Sequence, residues 1–119
     1  MSDDVLTEEK KELTKQYKQL LKISYRTLSA ADKKLIRSAF DVAVDAHKDQ
    51  RRKSGEAYVF HPIAVAKIVA SEIGLDATSI AAALLHDVVE DTDYTLADLE
   101  QLFGETVARI VDGLTKISN

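Results

Sequence analysis

Apolar residues recur at spacings of three and four through almost the whole chain, and little interrupts them: 119 residues contain one proline and four glycines. That period places side chains along one face of a helix. No stretch alternates with the period of a strand, and no segment repeats. The fold class predicted is therefore all-α. At this length the expectation is one domain with a single modest core.

The pattern divides into six helices. The first is predicted over 7–24, with Glu8 and Glu9 in its first turn and a narrow stripe of Leu13, Tyr17, Leu20 and Leu21. Acids there favour the helix dipole. This helix can pack one face only, on its own domain or on another chain. Ser29 is a good N-cap for the second, with Asp32 at the third position. Leu35, Ile36, Ala39, Phe40, Ala43, Ala46 and His47 follow, and Lys48-Asp49-Gln50 ends the run. Residues 50–60 read as a loop around Gly55. His61-Pro62 opens the third helix, with proline at its first position and Gly74 as its C-cap. Asp76 caps a fourth helix ending near Asp91. Thr95, with Asp98, caps a short fifth helix that stops at Gly104, and the sixth covers 105–116.

Composition narrows the function. The 45% hydrophobic and 30% charged content is that of a soluble globular chain. A net charge of -4 gives no broad electrostatic footprint for nucleic acid. No cysteine is present, which excludes disulfides and thiolate zinc sites and fits a reducing compartment. No apolar run approaches the roughly 20 residues that span a bilayer. The Met-Ser-Asp-Asp start lacks a basic-then-apolar secretion pattern. A cytoplasmic protein with neither nucleic-acid nor membrane partner is the expectation.

The fourth helix breaks its own rule. Ala81-Ala82-Ala83-Leu84-Leu85 carries no charge, and His86-Asp87-Val88-Val89-Glu90-Asp91 follows at once. Ionisable groups on a buried helix are costly unless paired or bound to a metal. Helical spacing makes His86 and Glu90 neighbours, and Asp87 a neighbour of Glu90 and Asp91. Imidazole with carboxylate suits a divalent ion of the manganese, iron or zinc group. The plainer reading is a hydrogen-bonded histidine beside a solvated aspartate; the acids that follow and the apolar run before favour a metal. His61 is either a cap or core histidine or, if the third and fourth helices run antiparallel, a second imidazole ligand. His47, on the apolar face of the second helix, is a core or supporting residue more often than a ligand. Arg51-Arg52-Lys53-Ser54-Gly55 is a solvated charge run or a phosphate contact, since arginine offers a planar fork and backbone amides add donors. Tyr58 either stacks on a base or fills the core. Thr115 and Lys116 lie too near the terminus to read.

Taken in order, Ala46-His47, Arg52-Lys53-Ser54-Gly55-Glu56 with Tyr58, His61-Pro62, Leu84-Leu85-His86-Asp87-Val88-Val89-Glu90-Asp91-Thr92 and Val111-Asp112-Gly113-Leu114-Thr115-Lys116 resemble the hydrolase domain of the RelA/SpoT homologue family. That domain belongs to the HD superfamily of metal-dependent phosphohydrolases. The resemblance covers residues 35–116 and implies an HD-superfamily helical domain over 29–119, truncated at its carboxyl end, after an amphipathic helix within 1–28. It implies hydrolysis of ppGpp and pppGpp at the 3′-pyrophosphate, with Mn²⁺ held by His61, His86, Asp87 and a further aspartate beyond residue 119. Neither Asp98 nor Asp112 has the context to replace that aspartate. It gives Glu90 and Asp91 the handling of the attacking water, and Arg52, Lys53, Ser54 and Tyr58 the nucleotide. Position 57 is alanine where proline is common in the family. Two other readings stand beside this one: a catalytically silent binding or assembly module forming homo-oligomers through exposed apolar surface, and an HD phosphohydrolase for another nucleotide.

Overall fold

The computed structural model describes residues 3–24, 28–73 and 76–118. Seven α-helices follow one another among them: α1 (Asp3–Ile23), α2 (Ala30–Ala46), α3 (Phe60–Ile68), α4 (Ala77–Leu85), α5 (Val88–Asp91), α6 (Leu96–Phe103) and α7 (Glu105–Ser118). No strand forms among the described residues, so the all-α expectation holds. Among the described residues no helix is long and apolar enough to cross a membrane.

Helix α4 is the axis of the domain. Every residue from Ala81 to Leu85 is buried, as are Ala77 and Ile80. Helices α2, α3 and α7 pack around it. Alanines make this possible: Ala81, Ala82 and Ala83 meet Ala39 and Ala43 of α2 and Ala66 of α3 in one core. Small side chains let helix axes approach closely. Ile36, Ile63, Leu84, Leu99 and Val111 fill the spaces between. Helix α6 packs on α7, and α1 lies outside α3. Leu20 of α1 is fully buried, and the Tyr17 ring meets Phe40 edge-on at 5.1 Å. The stripe expected on α1 thus faces its own domain.

The helix starts follow the local chemistry. Ser29 and Asp32 exchange hydrogen bonds in a capping box, each at 3.0 Å, and Thr95 with Asp98 repeats the arrangement. The Asp76 carboxylate accepts from the Ser79 amide. Gly104 takes a φ of 96°, the left-handed conformation that stops α6. The proposed C-cap at Gly74 lies outside the described residues.

Three departures from the sequence reading concern the third and fourth helices. Helix α3 begins at Phe60, so Pro62 sits third rather than first. The amides of Phe60 and His61 are already bonded to the carbonyls of Ala57 and Tyr58, so the helix is entered one turn early. Proline is tolerated there because the first-turn amides have no intrahelical acceptor. Beyond Ile68 the same element continues as a π-helical turn, Val69–Ile73, which periodicity did not separate from α3. The fourth helix does not run through to Asp91: it ends at Leu85, and a turn at His86-Asp87 separates it from the single turn of α5.

Because α4 is fully buried from Ile80 to Leu85, truncating a large side chain there leaves a cavity that no neighbour can fill. Leu84→Ala is expected to lower unfolding free energy by about 2–5 kcal/mol in a urea titration. A loss well under about 1 kcal/mol would mean that α4 is not the packed axis.

Candidate metal centre

The turn at the end of α4 exists because the polar residues there leave the apolar environment just as the helix does. The carbonyls of a last helical turn lack intrahelical partners. One of them, Ala83 O, accepts a hydrogen bond from His86 Nδ1 at 2.6 Å. A carbonyl can only accept, so Nδ1 carries the proton and Nε2 presents a lone pair. That nitrogen faces Asp87 Oδ2 at 3.2 Å. Two acceptors at that distance require a cation between them, either a proton or a metal. With a proton there, hydrogen bonding to Asp87 raises the His86 pKa above 6.5 against the opposing effect of burial. The same bond holds Asp87 below the usual carboxylate range.

His61 completes the group. Helices α3 and α4 place its ring 6.2 Å from that of His86, centroid to centroid. One donor atom from each of His61, His86 and Asp87 lies within 4.8 Å of the other two, close enough to share one ion. Two imidazoles and a carboxylate suit a divalent transition metal. The carboxyl end of α4 adds the negative pole of its dipole. His61 therefore belongs to a group of three side chains that could hold an ion.

A line of rings supports these three residues. Tyr58 lies between His47 at 4.9 Å and His61 at 5.9 Å. Its hydroxyl donates to Asp87 Oδ2 at 2.8 Å, with Asp91 Oδ2 at 3.5 Å. Burial, and then the bond to Asp87, push the phenol pKa well above its ordinary 10. The group thus remains a donor at neutral pH and fixes the orientation of the Asp87 carboxylate. His47 is 1% exposed and does not join the ligand group. Its Nδ1 is 2.7 Å from Gln50 Oε1.

Gln50 is the residue that sequence reasoning missed. Its amide nitrogen donates to the backbone carbonyl of Asp91 at 2.6 Å. That fixes its oxygen toward His47, whose Nδ1 must then carry the proton. Gln50 ties the end of α2 to the end of α5. A glutamine between a helix and a loop has no periodic signature, and its partner is 41 residues away.

Residues 50–58 form a miniature hairpin beside this group. The Tyr58 amide bonds to Gln50 O at 2.9 Å and the Arg52 amide to Glu56 O at 2.9 Å, around one bridge between Arg51 and Ala57. Gly55, at φ 95° with no neighbour crowding a Cβ, is required for its conformation rather than for space. Arg52, Lys53 and Ser54 lie exposed at the tip. Together with Arg51, Tyr58 and His61 they line an open cleft of about 600 Å³. Glu90 and Asp91, on α5, are both exposed; Glu90 is near enough to add to the raised His86 pKa. Asp98 is used by its capping box and Asp112 pairs with Lys116 at 3.1 Å. Neither stands with the metal-ligand group.

An ion held by this group would compete with a proton for the same lone pair of His86. Because that pKa is raised, the proton competes to a pH above 6.5. Affinity for a divalent ion should rise with pH through that value, and each ion bound should release up to about one proton. Calorimetry in buffers of different ionisation enthalpy measures both. Affinity independent of pH between about 5.5 and 8 would contradict this assignment.

A family model described as the HD domain matches residues 39–119. The bifunctional (p)ppGpp synthase/hydrolase SpoT of Escherichia coli strain K12 is 55% identical over 84 residues, 71% of this chain and 12% of that protein. A probable GTP pyrophosphokinase of Mycobacterium leprae is 51% identical over 87 residues, 73% of this chain and 11% of its own length. The guanosine-3′,5′-bis(diphosphate) 3′-pyrophosphohydrolase of Aquifex aeolicus is 49% identical over 82 residues, 69% and 12% respectively. The chain thus spans about an eighth of the length of these curated relatives. They bear out the resemblance to RelA/SpoT homologues, and HD domains bind divalent metals, as the His61, His86 and Asp87 group is suited to do. The chain belongs to the HD-domain family.

Proposed function

We propose that the protein carrying this chain hydrolyses the 3′-pyrophosphate of ppGpp and pppGpp, giving GDP or GTP and pyrophosphate, with Mn²⁺ as its ion. The observation that carries this reading is a shared cleft: His61, a metal-ligand candidate, lines the same opening as Arg51, Arg52, Lys53 and Ser54. A metal-ligand group beside clustered cations fits a polyanionic phosphate ester. The names of several relatives, which are 3′-pyrophosphohydrolases, support the choice of substrate.

When bound, a divalent ion polarises a phosphoryl oxygen and makes water a nucleophile at neutral pH. The residues supply the rest. Arg52 and Lys53 offset the charge of the pyrophosphate. The Ser54 hydroxyl and the hairpin amides add donors at the tip. Tyr58, with its hydroxyl on Asp87, lines the cleft that takes the nucleotide. Glu90 or Asp91 orients the attacking water and accepts its proton. The water oxygen bonds to the phosphorus attached at O3′, the bond from that phosphorus to O3′ breaks, and a proton ends on O3′. Gln50 holds the Asp91 backbone, and thereby α5, in register with the ligands. A fourth protein ligand, an aspartate beyond residue 119, belongs to the same reading.

The test is release of pyrophosphate from ppGpp with Mn²⁺ by the protein at its full natural length. His86→Ala and Asp87→Ala should abolish it, and Glu90→Gln or Asp91→Asn should lower kcat by about 10²–10⁴-fold with metal still bound. An unchanged rate in both His86→Ala and Asp87→Ala would refute the reading.

A further inference from the structure

We propose that Glu9 of α1 is a positioning residue for the nucleotide: it grips Arg51 and thereby fixes the hairpin whose tip offers Arg52, Lys53 and Ser54 to phosphate. This inference rests on the functional reading above.

Helix α1 precedes the region matched by the family model, which begins at residue 39. It nevertheless reaches the hairpin. Glu9 Oε1 accepts from Arg51 Nη2 at 2.9 Å, and its second carboxylate oxygen accepts from Nη1. A two-pronged contact fixes the orientation of the guanidinium as well as its position. The pair is partly shielded, the two side chains being 30% and 23% exposed. Each group holds the other in its charged form: the bond from Arg51 lowers the Glu9 pKa and raises that of Arg51. Arg51 Nη1 also contacts Gly55 O across the neck of the hairpin at 3.4 Å.

The anchor is itself fixed. Leu20 buries α1 in the core, and Lys67 of α3 donates to Gln16 and, at 2.8 Å, to Gln19. The hairpin base is thus tied on two sides, by Gln50 to α5 and by Arg51 to α1. The adjacent cations serve differently: Arg52 has only a loose contact with Glu56 at 3.8 Å, and both it and Lys53 are exposed. A carboxylate beside a cleft that takes a polyanion opposes binding by its charge. Its value must lie in what it holds, and that gives the test a sign.

Alanine is the best helix former, so Glu9→Ala preserves α1. In the protein at its full natural length, Glu9→Ala should raise KM for ppGpp about fivefold, with kcat within about twofold and Mn²⁺ affinity unchanged. Amide exchange at Arg52, Gly55 and Tyr58, whose hydrogen bonds close the hairpin, should quicken in the same variant. A lowered KM, as simple removal of negative charge would give, or an unchanged KM with unaltered exchange, overturns the proposal. If the wild-type protein leaves ppGpp intact, the functional reading fails by itself. Exchange then decides for Glu9: faster exchange sustains its hold on the hairpin, and unaltered exchange ends it.

Discussion

The complete burial of α4 from Ile80 to Leu85 determines where the polar chemistry can go. A helix enclosed by α2, α3 and α7 cannot carry an ionisable group along its length without a large desolvation cost. His86 and Asp87 therefore appear at the first positions where α4 leaves the core. The Ala83 carbonyl, freed by the end of the helix, takes the His86 Nδ1 proton and turns the opposite nitrogen toward Asp87. One backbone hydrogen bond thus orients a side chain of the group that could hold an ion. The amino end of α3, a helix packed on α4, brings His61 to the same place. Packing and ligand geometry are the same fact seen from two sides.

Much of this was legible from the residues, and the legible parts share a cause. Caps are local: Ser29 with Asp32, Asp76 with Ser79, and Thr95 with Asp98 each satisfy an amide three residues away, so sequence spacing alone reveals them. The apolar stripes of α1 and α2 are likewise periodic. His86 and Asp87 were visible because their charge contradicts the apolar run before them, and His61 was a candidate only on the condition that the third and fourth helices run antiparallel.

What was not legible depends on contacts between distant residues or on small changes in backbone register. The break after Leu85 keeps helix-like angles at His86 and Asp87, so the apolar pattern runs through it unchanged. Base stacking and core filling were the two uses foreseen for Tyr58, and neither revealed the bond its hydroxyl makes to Asp87, 29 residues away. Gln50 and Glu9 act on partners 41 and 42 residues distant, and neither interrupts a pattern. The basic run at 51–53 looked uniform in sequence. In three dimensions Arg51 turns to Glu9 while its neighbours stay at the tip of the hairpin.

Everything rests on one cation shared by His61 of α3 with His86 and Asp87 of the turn after α4. The most direct measurement is anomalous diffraction at the manganese edge from crystals grown with Mn²⁺. The account predicts a single strong peak about 2.0–2.3 Å from nitrogens of His61 and His86 and an oxygen of Asp87. A peak elsewhere, or none at these three side chains while the ion is ordered at another place, would contradict it.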